Sequence, residues 1–179
     1  NCHFIKSERI EYINHLQKYF KVDTFGKCFN SKITKEERDT KMLKYKYFIA
    51  AENSHCKDYT TEKYWGTLEG GAIPILIGYP TNHTALIPGS FINAFDFRHP
   101  RDLAKYLEKV STDKAEFFKF HSWRKKYFIP FNRFDTCKIL DTVTKYLNQE
   151  DADDPTIHQI ADASLCMDSE QAFNLLVQE

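Results

Sequence analysis

Apolar residues along the chain switch between a helical period and short continuous runs, and the switches mark its elements. Residues 7–20 carry Ile10, Ile13, Leu16 and Phe20 at helical spacing behind Ser7, a favourable N-cap, which predicts an amphipathic helix lying on a sheet. Lys21 to Phe25 reads as a strand ended by Gly26. In the polar stretch 27–44, Thr34 and Glu37 have the spacing of a capping box and predict a short helix. Tyr45 to Ala51 is an aromatic and apolar run that reads as a buried strand. A polar loop follows, and Thr60 to Glu69 reads as a helix entered from Asp58 and stopped by Gly70-Gly71.

Ala72 to Tyr79, AIPILIGY, is a second apolar strand with Pro74 near its start, where a missing N–H is tolerated. Residues 80–90 read as loop and Phe91 to Phe95 as strand. Pro100 suits the first turn of a helix whose Leu103, Leu107 and Val110 face inward, and Thr112 is expected to cap another, EFFKFHSW, whose aromatics read as core. Near the end, Asp168 and Gln171 are expected to cap a helix over 169–178. Strands alternating with helices predict an α/β fold with a doubly wound parallel sheet.

Composition narrows the function classes. A chain of 179 residues, 42% hydrophobic, can bury a core as one domain. Lys plus Arg and Asp plus Glu both number 25, so no positive excess argues for nucleic acid or an acidic membrane. No apolar run approaches the ~18 residues that cross a bilayer, and the first residues lack a signal-peptide pattern, so any membrane anchor is expected outside this chain. From Asp141 onward acidic residues face a single basic one, Lys145. The EDADD run at 150–154 lacks the spacing of an EF-hand loop and reads as a solvated turn.

Catalytic signatures are sparse: there is no GxSxG, HExxH or Walker loop. The seven histidines are scattered, so no metal site is expected, and His55 reads as a surface histidine. Cys2, Cys28, Cys56, Cys137 and Cys166 lack CxxC spacing; buried free thiols are one reading, and the odd count leaves at least one unpaired. Asn82-His83-Thr84 is a glycosylation sequon, meaningful only in the secretory pathway.

The most informative chemistry lies at helix starts. Tyr59, Glu62 and Lys63, spaced i, i+3, i+4, are expected to share one face where a strand empties through a loop into a helix. Lys63 in a first turn opposes the helix dipole by roughly 0.3–1 kcal/mol unless an anion is bound. Arg9 makes the same apparent error in the first helix. A diphosphate between them would turn both penalties into attraction, Arg9 offering a bidentate fork and Lys63 a point charge. The plainer alternative pairs Arg9 with Glu8, Glu11 or solvent.

The string Glu52-Asn53-Ser54, three residues, Asp58-Tyr59, one residue, then Thr61-Glu62-Lys63 continues into Gly71, Pro74 and Gly78 and into Pro88 to Ile92. Together these resemble the donor domain of the α1,3-fucosyltransferases of glycosyltransferase family ten. Asn1-Cys2 with Arg9 beyond it, and Val22-Asp23 before Gly26-Lys27-Cys28, look like the same family's preceding segment. The likeness covers residues 1–135. Thr60 departs from the β-branched apolar residue common in the family, Trp65-Gly66 interrupt the motif helix, and the tail diverges.

The resemblance implies a Rossmann-like sheet forming the C-terminal half of a GT-B glycosyltransferase, with residues 1–135 as donor-binding domain and 136–179 as a helical extension packed on it. It implies GDP-fucose as donor with no cofactor required, and L-fucose transfer with inversion to O3 of GlcNAc in a glycan or glycoprotein acceptor. Arg9 and Lys63 would neutralise the diphosphate, Glu62 would accept from the ribose hydroxyls, and Asn53 and Tyr59 would complete the donor site. No catalytic base is expected in this chain, since the family places it in the N-terminal acceptor domain. Without that domain, residues 1–179 are expected to bind donor weakly and turn over nothing. The family is lumenal in the Golgi with a type II anchor, and there Cys28 and Cys56 are candidates to pair beneath the donor loop. Lewis-type antennae and the N-glycan core remain open as acceptors. Two other readings fit the motif: an inactive donor-fold domain serving as an interaction module, and a GT-B enzyme of another nucleotide sugar.

Overall fold

The computed structural model describes residues 8–80, 86–129 and 166–178, with the single positions 140, 144 and 148. The chain divides into two compact units, Asn1–Tyr127 with Cys166–Glu179, and Phe128–Leu165. In the second unit the Asn148 N–H donates to the Thr144 carbonyl at 2.9 Å, the bond of a helical turn. The sequon at Asn82 and the EDADD run lie outside the described residues.

The first unit is built on three parallel strands, β1 (Tyr47–Ala51), β3 (Ile73–Ile77) and β4 (Ile92–Asn93), in the order β1-β3-β4. All five residues of the central β3 are buried, which accounts for an apolar run without alternation. Pro74 is accommodated because the Ile73 N–H already points to β1, bonding the Lys46 carbonyl at 2.8 Å. Successive N–H groups alternate sides, so the one Pro74 lacks would face β4, whose pairing begins only at Ile75↔Ile92.

Side-chain alternation divides the packing. Ile73, Ile75 and Ile77 join one core with Tyr12 and Leu16 of α1 (Glu8–Gln17), Leu103 and Leu107 of α4 (Pro100–Thr112) and Leu176 of α6 (Ser169–Leu176). On the other side α3 (Glu62–Glu69) packs against β3 and β1 and buries Tyr64 and Leu68 outside that core. The result is α/β, with helices flanking a parallel sheet, compatible with a Rossmann-like fold.

Caps behave as their chemistry dictates. Thr34 and Glu37 close a reciprocal box on α2 (Lys35–Met42), with Glu37 N–H to Thr34 Oγ1 at 3.1 Å and Thr34 N–H to Glu37 Oε2 at 2.8 Å. Asp168 caps α6 by accepting from the Gln171 N–H at 2.9 Å. Gly70 ends α3, and Gly71 follows at φ +83°, a conformation open to glycine at little cost.

Three expected elements differ. Lys21 to Phe25 forms no strand: Gln17 donates to the Val22 carbonyl at 2.8 Å and Tyr45 to Asp23 at 2.7 Å, so side chains hold the segment where a ladder was expected. The strand expected over Phe91 to Phe95 stops at Asn93, whose side chain accepts from the Phe95 N–H at 3.2 Å and turns the chain into a 3-10 helix. Asp113, one residue after the expected Thr112, caps α5 (Lys114–Lys119), because Thr112 still belongs to α4 and donates to the Glu108 carbonyl at 3.0 Å.

Candidate functional site

The site lies where β1 ends. The Glu52 N–H extends the ladder by one bond, to the Ile77 carbonyl at 2.8 Å, after which the chain leaves the sheet. A short strand, β2 (His55–Cys56), then pairs antiparallel with β5 (Cys166–Met167). Asp58 takes φ +58°, the left-handed turn that short acidic residues tolerate, and the Tyr59 N–H bonds the Cys56 carbonyl at 3.1 Å. The chain enters α3 from Thr61, not from Asp58, so the helix begins at Glu62 and not at the expected Thr60. Tyr59 therefore precedes the helix and does not share with Glu62 and Lys63 the helical face that their spacing predicts.

Glu52 is the centre of the arrangement. Only 2% exposed, its carboxylate accepts from the Thr61 N–H at 2.8 Å, from the Thr61 hydroxyl at 2.7 Å and from Lys63 Nζ at 3.0 Å. Lys63 also donates to Thr61 Oγ1 at 2.8 Å and lies 3.6 Å from Glu62 Oε1. A carboxylate held among these donors at a helix N-terminus is where the dipole favours negative charge. The sequence reading missed Glu52 as the partner of Lys63 because the two lie eleven positions apart.

Arg9 reaches the same residue from α1. Its Nη1 donates to the carbonyls of Ala51 and Glu52, at 3.2 and 3.1 Å, and to Asn53 Oδ1 at 3.1 Å. These bonds, to a different segment of the chain, are not the pairing with Glu8 or Glu11 of the plainer alternative. Burial pulls the Arg9 guanidinium below its ordinary pKa, while Glu52 and Tyr59 hold it up. Glu62, the first residue of α3, has a 70% exposed side chain. A hydrogen bond from its own backbone N–H, aided by Lys63, keeps its carboxyl below the usual carboxylate range despite some burial. Tyr59 is 39% exposed and lines a small cleft with Glu52, Cys56, Asp58, Thr60 and Gly78. Arg9, Asn53, Glu62 and Lys63 thus gather at one corner beside Tyr59.

His55 and Cys56 depart from what their sequence context predicts. His55 is 3% exposed, not superficial: Nδ1–H donates to the Gly78 carbonyl at 2.5 Å and ties the loop to the end of β3. A carbonyl can only accept, so Nδ1 is the donor in this bond. Cys56 bonds Cys166, not the expected Cys28, because β2 and β5 bring residues 56 and 166 to a Cα separation of 3.8 Å. A cysteine forms one such bond, so the Cys28–Cys56 pair is excluded. An antiparallel pairing across 110 residues leaves no local signal in the sequence.

Behind the corner, Ser90 of the motif's Pro88–Ile92 segment joins a ring of hydrogen bonds. Tyr64 donates to Ser90 Oγ at 2.7 Å, Ser90 donates to the Ile87 carbonyl at 2.7 Å, and the Ile87 N–H returns to Tyr64 at 3.0 Å. This closed ring fixes α3 to the Pro88–Ile92 segment. At the far end of α3, Arg124 donates to the Leu68 carbonyl at 2.6 Å. Among the described residues no group of three His, Cys, Asp or Glu side chains could hold a metal, and no helix is long and apolar enough to cross a membrane.

A parallel sheet whose first strand empties into a hydrogen-bonded corner at a helix N-terminus defines an α/β domain with charged side chains gathered at a strand end. Residues 1–163 match the family model described as glycosyltransferase family 10 (fucosyltransferase), C-terminal. Over 121 residues the chain is 36% identical to 4-galactosyl-N-acetylglucosaminide 3-alpha-L-fucosyltransferase FUT6 of Gorilla gorilla gorilla, covering 66% of this chain and 33% of the relative. It is 31% identical over 143 residues to 4-galactosyl-N-acetylglucosaminide 3-alpha-L-fucosyltransferase 9 of Bos taurus, covering 77% and 40%. Identity to the human 3-galactosyl-N-acetylglucosaminide 4-alpha-L-fucosyltransferase FUT3 is 36% over 121 residues, covering 66% and 33%. The chain belongs to glycosyltransferase family 10, and it spans between a third and two fifths of the length of these relatives.

Proposed function

We propose that this chain is the donor-binding half of a GT-B α1,3-fucosyltransferase, which takes L-fucose from GDP-fucose to O3 of GlcNAc in a glycan or glycoprotein. One observation carries the reading: Arg9 and Lys63, 54 positions apart in sequence, meet at Glu52, Arg9 on its carbonyl and Lys63 on its carboxylate. The names of the relatives supply the sugar and the acceptor class.

In this reading the diphosphate lies at the N-terminus of α3 between the two cations. Glu62, exposed and readily ionised, accepts from the ribose hydroxyls, while Asn53 and Tyr59 line the path of the phosphates and the sugar. Attack by the acceptor hydroxyl on the anomeric carbon forms the new glycosidic bond. The bond to the diphosphate oxygen breaks with its electron pair, and the configuration inverts. Negative charge grows on the departing GDP, and fixed cations and helix N–H groups stabilise it without a required cofactor. The hydroxyl proton goes to a base on the N-terminal acceptor domain of the same protein. The Cys56–Cys166 bond fits an oxidising compartment, in keeping with the Golgi lumen and a type II anchor outside this chain, where Asn82 would be open to glycosylation.

Lys63→Ala in the full-length enzyme is expected to lower the transfer rate by more than about tenfold, a loss of over ~1.4 kcal/mol of transition-state stabilisation. Wild-type turnover in that variant would sink the assignment. Calorimetry separates the other readings: an interaction module gives no heat with GDP, and an enzyme of another nucleotide sugar prefers UDP.

A further inference from the structure

We propose that Glu52 is a positioning residue for the transfer step and acts through Lys63; the inference rests on the donor-site reading above. Removing a carboxylate from water is costly unless it is paired and fully bonded. Glu52 is 2% exposed and has three donors, two from Thr61 and one from Lys63. A lysine stem is flexible, and a carboxylate that is itself immobile removes that freedom. Glu52 is immobile at both ends: its N–H bonds the Ile77 carbonyl at 2.8 Å, and its own carbonyl accepts from Arg9 at 3.1 Å. A single residue thereby sets the position of both proposed phosphate-binding cations.

Its charge works against simple attraction. Beside Lys63, Glu52 offsets part of the pull on a bound diphosphate, in donor and product alike. What it supplies is aim, an ammonium already pointed where leaving-group charge develops, and aim acts on the transition state more than on ground-state binding. Loss of Glu52 is therefore read in kcat more than in KM.

The test is a double-mutant cycle in the full-length transferase, with Glu52→Gln, Lys63→Ala and the pair. Glu52→Gln keeps the volume and an acceptor oxygen for Thr61. It is expected to lower kcat by at least about tenfold with the donor KM within about threefold, yet by less than about twofold when Lys63 is already alanine. An equal loss in both backgrounds, or a lower melting temperature with unchanged kcat, overturns the proposal. Should Glu52→Gln fold poorly, Glu52→Asp retracts the charge by one methylene and enters the same cycle with the same criterion. Wild-type turnover in Lys63→Ala alone refutes the donor-site reading, whatever Glu52 does.

Discussion

Lys63 looks, in the sequence, like a cation at the wrong end of a helix. In the structure the helix N-terminus already has an anion, because the Glu52 carboxylate accepts from the Thr61 N–H and Lys63 is bonded to that carboxylate. The penalty of roughly 0.3–1 kcal/mol for a misplaced cation is thus met first from within the chain, before any ligand arrives. His121 gives a second residue-scale consequence. Burial, with Arg124 nearby, lowers its pKa from the ordinary 6.5, and its ring packs on Phe117 at 5.0 Å. The folded state favours the neutral imidazole, so the unfolded chain takes up the proton first as pH falls. Stability is then highest above about 6.5, declines as pH drops through that value, and levels once the folded ring is protonated too. Urea midpoints between about pH 7.5 and 5 should slope less in His121→Gln than in wild type; equal slopes would show that His121 contributes nothing.

At the scale of elements, the features that were legible are those whose chemistry is local. The Thr34–Glu37 box, the Pro100 start of α4 and the buried β3 each depend on neighbours within a turn or on an unbroken apolar run. What stayed hidden depends on partners far along the chain. Lys21 to Phe25 has a strand's composition, but Gln17 and Tyr45 hold it without a ladder, and the buried His55 donates to the Gly78 carbonyl, 23 positions away. The candidate site was legible as a set of residues, through the motif, and illegible as a network, because Glu52 joins Arg9 and Lys63 across 43 and 11 positions. The two threonine caps make this distinction measurable. Thr34→Ala should cost about 1 kcal/mol of stability and leave transfer intact, since α2 makes no contribution to the corner. Thr61→Ala should cost at least as much and also slow transfer, because Thr61 gives two hydrogen bonds to Glu52 and accepts two from Lys63, from its N–H and from Nζ. Chemical denaturation and initial-rate assays on the two variants check the contrast; equal activities would contradict it.

For the molecule as a whole, the return of the chain at Cys166 matters most. Residues 166–178 belong to the first unit, where Leu176 of α6 shares a core with Leu16 of α1, the helix that carries Arg9. The Cys56–Cys166 bond joins this returning segment to the loop that frames Glu52 and Tyr59. Replacing both cysteines by serine is expected to destabilise the domain by about 2–4 kcal/mol, chiefly by loosening the unfolded chain. Urea midpoints measure the change, and a variant as stable as wild type would rule out this role. A further consequence concerns breakage. A protease that cuts once at any bond between positions 57 and 165 severs the backbone without separating its pieces. On a denaturing gel the nicked polypeptide keeps its full mass, and two bands emerge only when a thiol is added to the sample buffer.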